Sequence, residues 1–294
     1  MKNIAFIINP VSGTQNKRKL PKMIEQLLDK EQWLSNIVFT ERAGHATELA
    51  AQYARMGFDA VVAVGGDGTV NEVAQGLRDT NTALGILPMG SGNGFARHIG
   101  VPMRTQRAIE MLNRSEVVSA DYGLAEDRLF VTTCGTGFDA VVAYKFAMAG
   151  SRGFLTYLKT IMQDLLSYKP QTYRLTDGNG LDIEHKAFLL TFANASQWGN
   201  EAYIAPKASI QDGLMDVCML SSDALKAAPS LALRLFTKNI DKSTYMDTFR
   251  AAEITLVREH EEPFHIDGDP VKMPKDIHIS MVKDGLKVLV ERRL

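Results

Sequence analysis

Ala60-Val-Val-Ala-Val64 runs straight into Gly65-Gly66-Asp67-Gly68-Thr69, and from Val70-Asn71 a helical pattern continues to residue 77. A continuous apolar run rich in β-branched residues suits a parallel strand covered on both faces. Glycines immediately after it permit positive φ and close approach of main-chain amides to a ligand. The following helix adds unpaired N–H groups and a positive dipole end. Together these outline a phosphate cradle, although the lysine of a Walker A loop is missing and Asn71 stands where a dinucleotide fingerprint has its third glycine. A plain strand-to-helix turn is the alternative, and Asp67 weighs against it. A carboxylate about 4 Å from a phosphate oxygen meets a repulsion of about 4 kcal/mol at an effective dielectric near 20, which a cation or a proton transfer has to offset.

Similar runs lie on either side. Residues 4–8 read as a buried strand, with weaker examples at 37–40 and 83–87. Between them Leu20, Met23, Ile24, Leu27 and Leu28, then Leu49, Tyr53 and Met56, keep helical spacing. This βαβα order implies a parallel sheet with right-handed crossovers and ligands beyond the carboxyl ends of its strands. Two further loops fall at such ends: Asn9-Pro10-Val11-Ser12-Gly13, and Pro88-Met89-Gly90-Ser91-Gly92-Asn93-Gly94. Lys17, Arg18 and Lys19 follow the first, either as a solvated helix start or as contacts for phosphate or anionic headgroups.

From Tyr122 the pattern becomes strand-rich. Asp177-Gly178-Asn179-Gly180 is a tight-turn signal between runs at 172–176 and from 181, and strand patterns recur at 254–257, 264–266, 277–282 and 286–290. Helical interruptions fall at 154–168 and 224–239. The expected architecture is α/β plus mainly β: an N-terminal Rossmann-like parallel α/β domain over residues 1–122 and a C-terminal antiparallel β-sandwich-like domain over 123–294.

Composition narrows the function classes. With 294 residues, 45% hydrophobic and 23% charged, the chain suits a folded two-domain protein. Lys plus Arg number 33 against 34 Asp plus Glu, which gives no general attraction to a polyanion and disfavours nucleic acid as partner. Cys134 and Cys218 sit far apart in apolar runs, so no disulfide framework is expected and a cytoplasmic location fits. The opening MKNIAFIINPVSG is too short an apolar run for a signal core or a membrane span. His260, Glu261, Glu262, His265 and Asp267 resemble a metal cluster only superficially, because alternate residues of an extended stretch face opposite ways.

The ordered set Asn9-Pro-x-Ser-Gly13, Gly65-Gly-Asp-Gly-Thr69 with Asn71-Glu72, and Pro88-x-Gly-Ser-Gly-Asn93 with Phe95-Ala-Arg97 closely resembles the diacylglycerol kinase catalytic family. The nearest branch looks like the soluble bacterial lipid kinases of the YegS and DgkB type. Gly137-Phe138-Asp139-Ala140, Asp212-Gly-Leu-Met-Asp-Val217 and Asp267-Gly268-Asp269 extend the match through the second half. The resemblance implies a nucleotide-binding α/β domain, a β-rich second domain and an active site in the cleft between them. It places ATP against Asn9, Ser12, Gly13 and Thr40, against Gly65, Gly66, Asp67, Gly68, Thr69, Val70 and Asn71, and against Ser91. It makes Asp67 an essential acid near phosphates and metal, and Asp121, at the carboxyl end of a strand over 117–120, another. A structural Mg²⁺ is implied on the Asp212 side chain with backbone oxygens of Ser209 and Leu214, hard donors that suit the ion. Asp269, replacing the last acid of the family's Asp-Gly-Glu, inherits the role of general base, with Asp67 the other acid that could accept the hydroxyl proton. Two departures stand out: Asn93-Gly94 replaces Asn-Asp, with wording similar to the sphingosine kinase branch, and Thr14 replaces a lysine whose place Lys17 could take.

The activity so implied is ATP- and Mg²⁺-dependent phosphorylation of a lipid hydroxyl, with diacylglycerol the first acceptor. A sphingoid base, a soluble acceptor as in NAD kinases, or non-catalytic nucleotide or lipid sensing are the alternatives. Bringing acyl chains into water costs about 0.8 kcal/mol per methylene, so a cytoplasmic enzyme of this kind is expected to meet the membrane surface transiently and peripherally. The apolar positions of 152–168 read either as a core helix or as a cover over an acyl groove, and homodimerisation is left open.

Overall fold

The computed structural model describes residues 1–13, 17–149 and 167–292. The segment 154–166, expected to be helical, lies outside them. Two compact units are present, Met1–Tyr122 with Lys283–Leu294, and Gly123–Val282. The chain leaves the first unit after Tyr122 and re-enters it at Lys283, so the last stretch belongs to the first unit and not, as the sequence suggested, to the second.

In the first unit β1 (Lys2–Ile8) is central and pairs in parallel with β2 (Trp33–Phe39) and β3 (Ala60–Gly65). Strand β3 pairs in parallel with β4 (Ala83–Pro88), and β4 with the Lys287–Val288 part of β15 (Asp276–Glu291). Helices α1 (Leu20–Leu27), α2 (His45–Arg55), α3 (Asp67–Leu77), α4 (Gly94–His98) and α5 (Thr105–Leu112) occupy the connections. The apolar runs at 4–8 and 60–64 are fully buried, as expected of strands covered on both faces. Strand β2 begins at Trp33, four residues before the run at 37–40. It is an edge strand with Leu34, Ser35 and Asn36 exposed, so only part of it carries an apolar signal.

Strand β5 (Ser115–Ala125) passes through Asp121 instead of ending before it. Strand β15 is one element where two runs were expected. Asp284, at φ 57°, is accommodated within it while its amide donates to Asp121 Oδ1 at 2.8 Å. The gap between the two runs thus becomes an irregularity inside a strand once a buried acceptor takes the amide.

The second unit is an antiparallel set. Strand β7 (Thr133–Gly137) pairs with β9 (Asp182–Ala193) and β13 (Phe264–Ile266), and β13 with β14 (Asp269–Val271). Strand β9 also pairs with β8 (Gln171–Thr176) and β10 (Met215–Ser221), and β10 with β11 (Met246–Ala251). Strand β12 (Glu253–Arg258) joins β8 to the Ile277–Ile279 part of β15. The turn at 177–180 joins β8 to β9, with Asp177 Oδ1 accepting the Asn179 and Leu181 amides at 2.9 and 2.8 Å. Tyr173, Phe192, Val217, Leu256, Phe264 and Ile277 share one core. The helical expectation at 224–239 resolves into a 3-10 turn, Ala224–Ala227, and a helix over Ala228–Phe236 that admits Pro229 in its first turn. Helix α6 (Phe138–Ala149) follows β7 directly.

Candidate functional site

Three loops meet at the carboxyl ends of β1, β3 and β4. Asn9, just past β1, donates from Nδ2 to Thr69 Oγ1 at 3.1 Å and accepts the Val11 amide on Oδ1 at 3.1 Å. The Ser12 hydroxyl donates to the Asn9 carbonyl at 3.2 Å. Lys17 is 6% exposed and donates its ammonium to the Asn9 and Ser12 carbonyls and the Ser12 hydroxyl. Burial lowers its pKa, and the three oxygens are what make a buried cation tolerable. Lys17 is therefore not part of a solvated helix start: its ammonium is held by the oxygens of the loop before it. Thr14 lies outside the described residues.

The loops rest on one another through glycine. A Cβ at Gly13, where φ is +64°, would lie 1.9 Å from the Met89 carbonyl oxygen, and one at Gly90 would lie 2.6 Å from the Gly66 Cα. Only glycine permits main chain to meet main chain this closely.

Asp67 opens α3, and its carboxylate accepts the amides of Asn93 at 2.8 Å and Gly94 at 2.7 Å. Asn93, at φ 53°, accepts the Gly90 amide on Oδ1 at 3.0 Å and donates from Nδ2 to the Gly90 carbonyl at 2.8 Å. The compensation that the sequence led us to seek from a cation is thus supplied in part by main chain, helped by the positive end of α3. Amides of Gly90, Asn93 and Gly94 are engaged by side chains. In α3 the first intrahelical bond runs from the Val70 amide to the Gly66 carbonyl at 3.0 Å, so the preceding N–H groups have no helical acceptor. Val70 itself is buried in the core, and Ser91 is exposed at the tip of its loop.

Beside the first loop is a hollow of about 220 Å³ lined by Asn9, Val11, Thr40, Arg42, Thr69 and Glu72, among others. Thr40 is buried, and its amide donates to the Ile8 carbonyl at 2.9 Å. Glu72 accepts the Gly44 amide at 2.9 Å and the Ala46 amide at 3.1 Å, fastening the start of α2 to α3. Neither Glu72 nor Arg42 is assigned to nucleotide from sequence. The signal available was Glu72 within the Asn71-Glu72 pair, one helical turn beyond the glycines.

Asp121 is not brought to these loops. It is fully buried with Oδ1 on the Asp284 amide, three residues before Lys287, which pairs with Ala83 at the first residue of β4. It therefore lies toward the amino end of β4, whereas the glycine loops lie at the carboxyl ends.

In the second unit Asp267 and Gly268 form the two-residue turn between β13 and β14, with φ of 49° and 86°. Asp267 turns inward and accepts the amides of Val131, Thr132 and Thr133 at 3.0, 2.8 and 3.1 Å. Asp269 follows, exposed, as the first residue of β14. Asp212 Oδ1 accepts the Leu214 amide at 3.1 Å, and Ser209 Oγ accepts the Gln211 amide at 3.2 Å. Arg250 stands 3.4 Å from both Asp212 and Asp216. Burial raises the Asp216 pKa, with Arg250 opposing it. The carboxylate of Asp212 and the carbonyls of Ser209 and Leu214 are oxygen donors whose chemistry fits Mg²⁺, and Arg250 brings positive charge to the same carboxylate. Among the described residues no three His, Cys, Asp or Glu side chains converge as a metal cluster. Of the 260–267 group, Glu262 accepts from the Tyr173 hydroxyl at 3.1 Å while His265 faces Asp139. Both cysteines are buried and free. Among the described residues no helix is long and apolar enough to cross a membrane.

Comparison with known proteins also parts the chain just after Tyr122, although the second match continues through β15. Residues 3–125 match the diacylglycerol kinase catalytic domain, and residues 132–290 match the YegS C-terminal NAD kinase beta sandwich-like domain. The diacylglycerol kinase of Bacillus subtilis (strain 168) is 28% identical, over 98% of this chain and 99% of that protein. The diacylglycerol kinase of Mycobacterium tuberculosis (strain ATCC 25618 / H37Rv) is 30% identical over 85% and 82%. The fold is shared with the crystal structure of a diacylglycerol kinase from Bacillus anthracis str. Sterne, with TM-score 0.74, 21% identity and coverage of 98% and 96%.

Proposed function

We propose that this chain, which belongs to the diacylglycerol kinase catalytic-domain family and is a phosphotransferase with an alcohol acceptor, transfers the γ-phosphoryl group of ATP to the hydroxyl of a diacylglycerol-like lipid. The observation that carries this reading is the meeting of the loops after β1, β3 and β4 through Gly13, Gly66 and Gly90, with the Lys17 ammonium buried in the first of them.

Phosphoryl transfer asks the protein mainly for positioning and charge stabilisation. The leading amides of α3 bind phosphate oxygens, the Lys17 ammonium holds the loop after β1 in shape, and the hollow beside Thr40 and Glu72 takes another part of the nucleotide. Asp67 holds the third loop against the second. Mg²⁺, when bound with the nucleotide, neutralises phosphate charge, and at Asp212, Ser209 and Leu214 it would order that loop. Asp269 accepts the proton of the attacking hydroxyl. The enzyme works at a lipid surface as a peripheral protein.

The test is incubation of the pure protein with γ-labelled ATP and Mg²⁺ against diacylglycerol and sphingoid bases in mixed micelles, and against NAD. Label in phosphatidic acid supports the proposal, and label in sphingoid phosphate or NADP moves the acceptor. Label in no product makes the protein a sensor. Asp269→Asn is expected to lower turnover by about 10² to 10⁴ while ATP binding persists.

A further inference from the structure

Behind the 267–269 turn lies a buried acid and imidazole. Asp139, in the first turn of α6, has a side chain 8% exposed, and that of His265, in the middle of β13, is 3% exposed. Asp139 Oδ2 stands 3.2 Å from His265 Nε2 and accepts the Thr191 hydroxyl at 2.7 Å, while Oδ1 accepts the Ala140 amide at 2.8 Å. On the other side of the ring, Nδ1 accepts the Gly268 amide at 3.4 Å. These partners assign the tautomer. A nitrogen that accepts from an amide is bare, so the proton sits on Nε2 and is donated to Asp139. Asp267 ties down the first residue of the turn through three amides, and His265 reaches the second, immediately before Asp269.

We propose that Asp139 and His265 form a positioning pair: the buried carboxylate fixes the imidazole tautomer, and the bare nitrogen fixes the turn that presents Asp269. The inference rests on the reading in which Asp269 is the base, and it gives the Asp of Gly137-Phe138-Asp139-Ala140 a task. An amide at position 139 can donate as well as accept, so Asp139→Asn permits the opposite tautomer, whose protonated Nδ1 cannot receive the Gly268 amide.

The experiment combines a mutant cycle with imidazole ¹⁵N spectroscopy of the full chain. Asparagine carries a polar atom where Nδ1 stands, glutamine where Nε2 stands. His265→Asn should therefore retain more turnover than His265→Gln, and His265→Gln and Asp139→Asn should each lower kcat about 10- to 100-fold with the KM for ATP unchanged. In an Asp269→Asn background His265→Gln should cost little further, because both act through one carboxylate. Additive losses, a rise in the KM for ATP matching the fall in kcat, or an Nδ1-protonated His265 in the parent spectrum would each overturn the proposal. A fully active Asp269→Asn enzyme whose spectrum shows the Nε2-protonated ring instead overturns the base reading alone.

Discussion

The Asp67 carboxylate accepts the main-chain amide of Gly94 at 2.7 Å, joining the first residue of α3 to the first residue of α4. With the Asn93 amide on the other oxygen, Asp67 locks two glycine loops together. A side chain that sequence similarity marks as essential for chemistry is therefore also a brace. Asp67→Asn turns one acceptor into a donor facing an N–H group. It should cost about 1–3 kcal/mol in urea unfolding, on top of any loss of turnover. An unchanged unfolding midpoint would assign Asp67 to chemistry alone.

Gly90→Ala tests the meeting of the loops. The new methyl would stand 2.6 Å from Gly66 Cα and 3.0 Å from Asn93 Oδ1, so the main chain must part. Stability should fall by about 1–3 kcal/mol and nucleotide affinity with it, measured by calorimetry with ATP. Binding as tight as the parent's would mean that the close approach does not shape the nucleotide site.

His98 ends α4, and burial pushes its pKa down to about 4. The unfolded imidazole titrates near 6.5, so between these values the unfolded state binds more protons and stability rises with pH. The contribution is complete above about pH 6.5 and is lost as pH falls toward 4, by on the order of 3 kcal/mol. His98→Gln should flatten the thermal-stability profile across that window. A profile as steep as the parent's would place the sensitivity elsewhere.

Arg250 and Mg²⁺ would serve the same carboxylate. Without the guanidinium, Asp212 and Asp216 repel, and a divalent ion becomes the remaining source of positive charge. Arg250→Gln should therefore show a larger fall in Tm on EDTA treatment than the parent. Equal responses would mean that arginine and cation act independently.

The three glycine loops, their order after parallel strands and the strand-rich second half are all legible in the chain, because local steric and periodic rules govern them. Residues 4–8 and 60–64 could be little else than buried strands. The residues that make those loops a site were less visible. Glu72 fastens α2 from the next helix, and Lys17 lies several residues past its loop. Asp267 and Asp269 differ in direction only because a two-residue turn reverses the chain between them.

Residue types and spacing are enough to establish that glycine-rich bends follow parallel strands, since glycine tolerance, dipole ends and side-chain periodicity act within a few residues. Which acid is braced, which is buried and which is presented depends on partners 26 to 163 positions away, such as Asn93 for Asp67 and Asp284 for Asp121. Hydrogen-bond acceptance is decided by proximity in space, and folding alone creates that proximity.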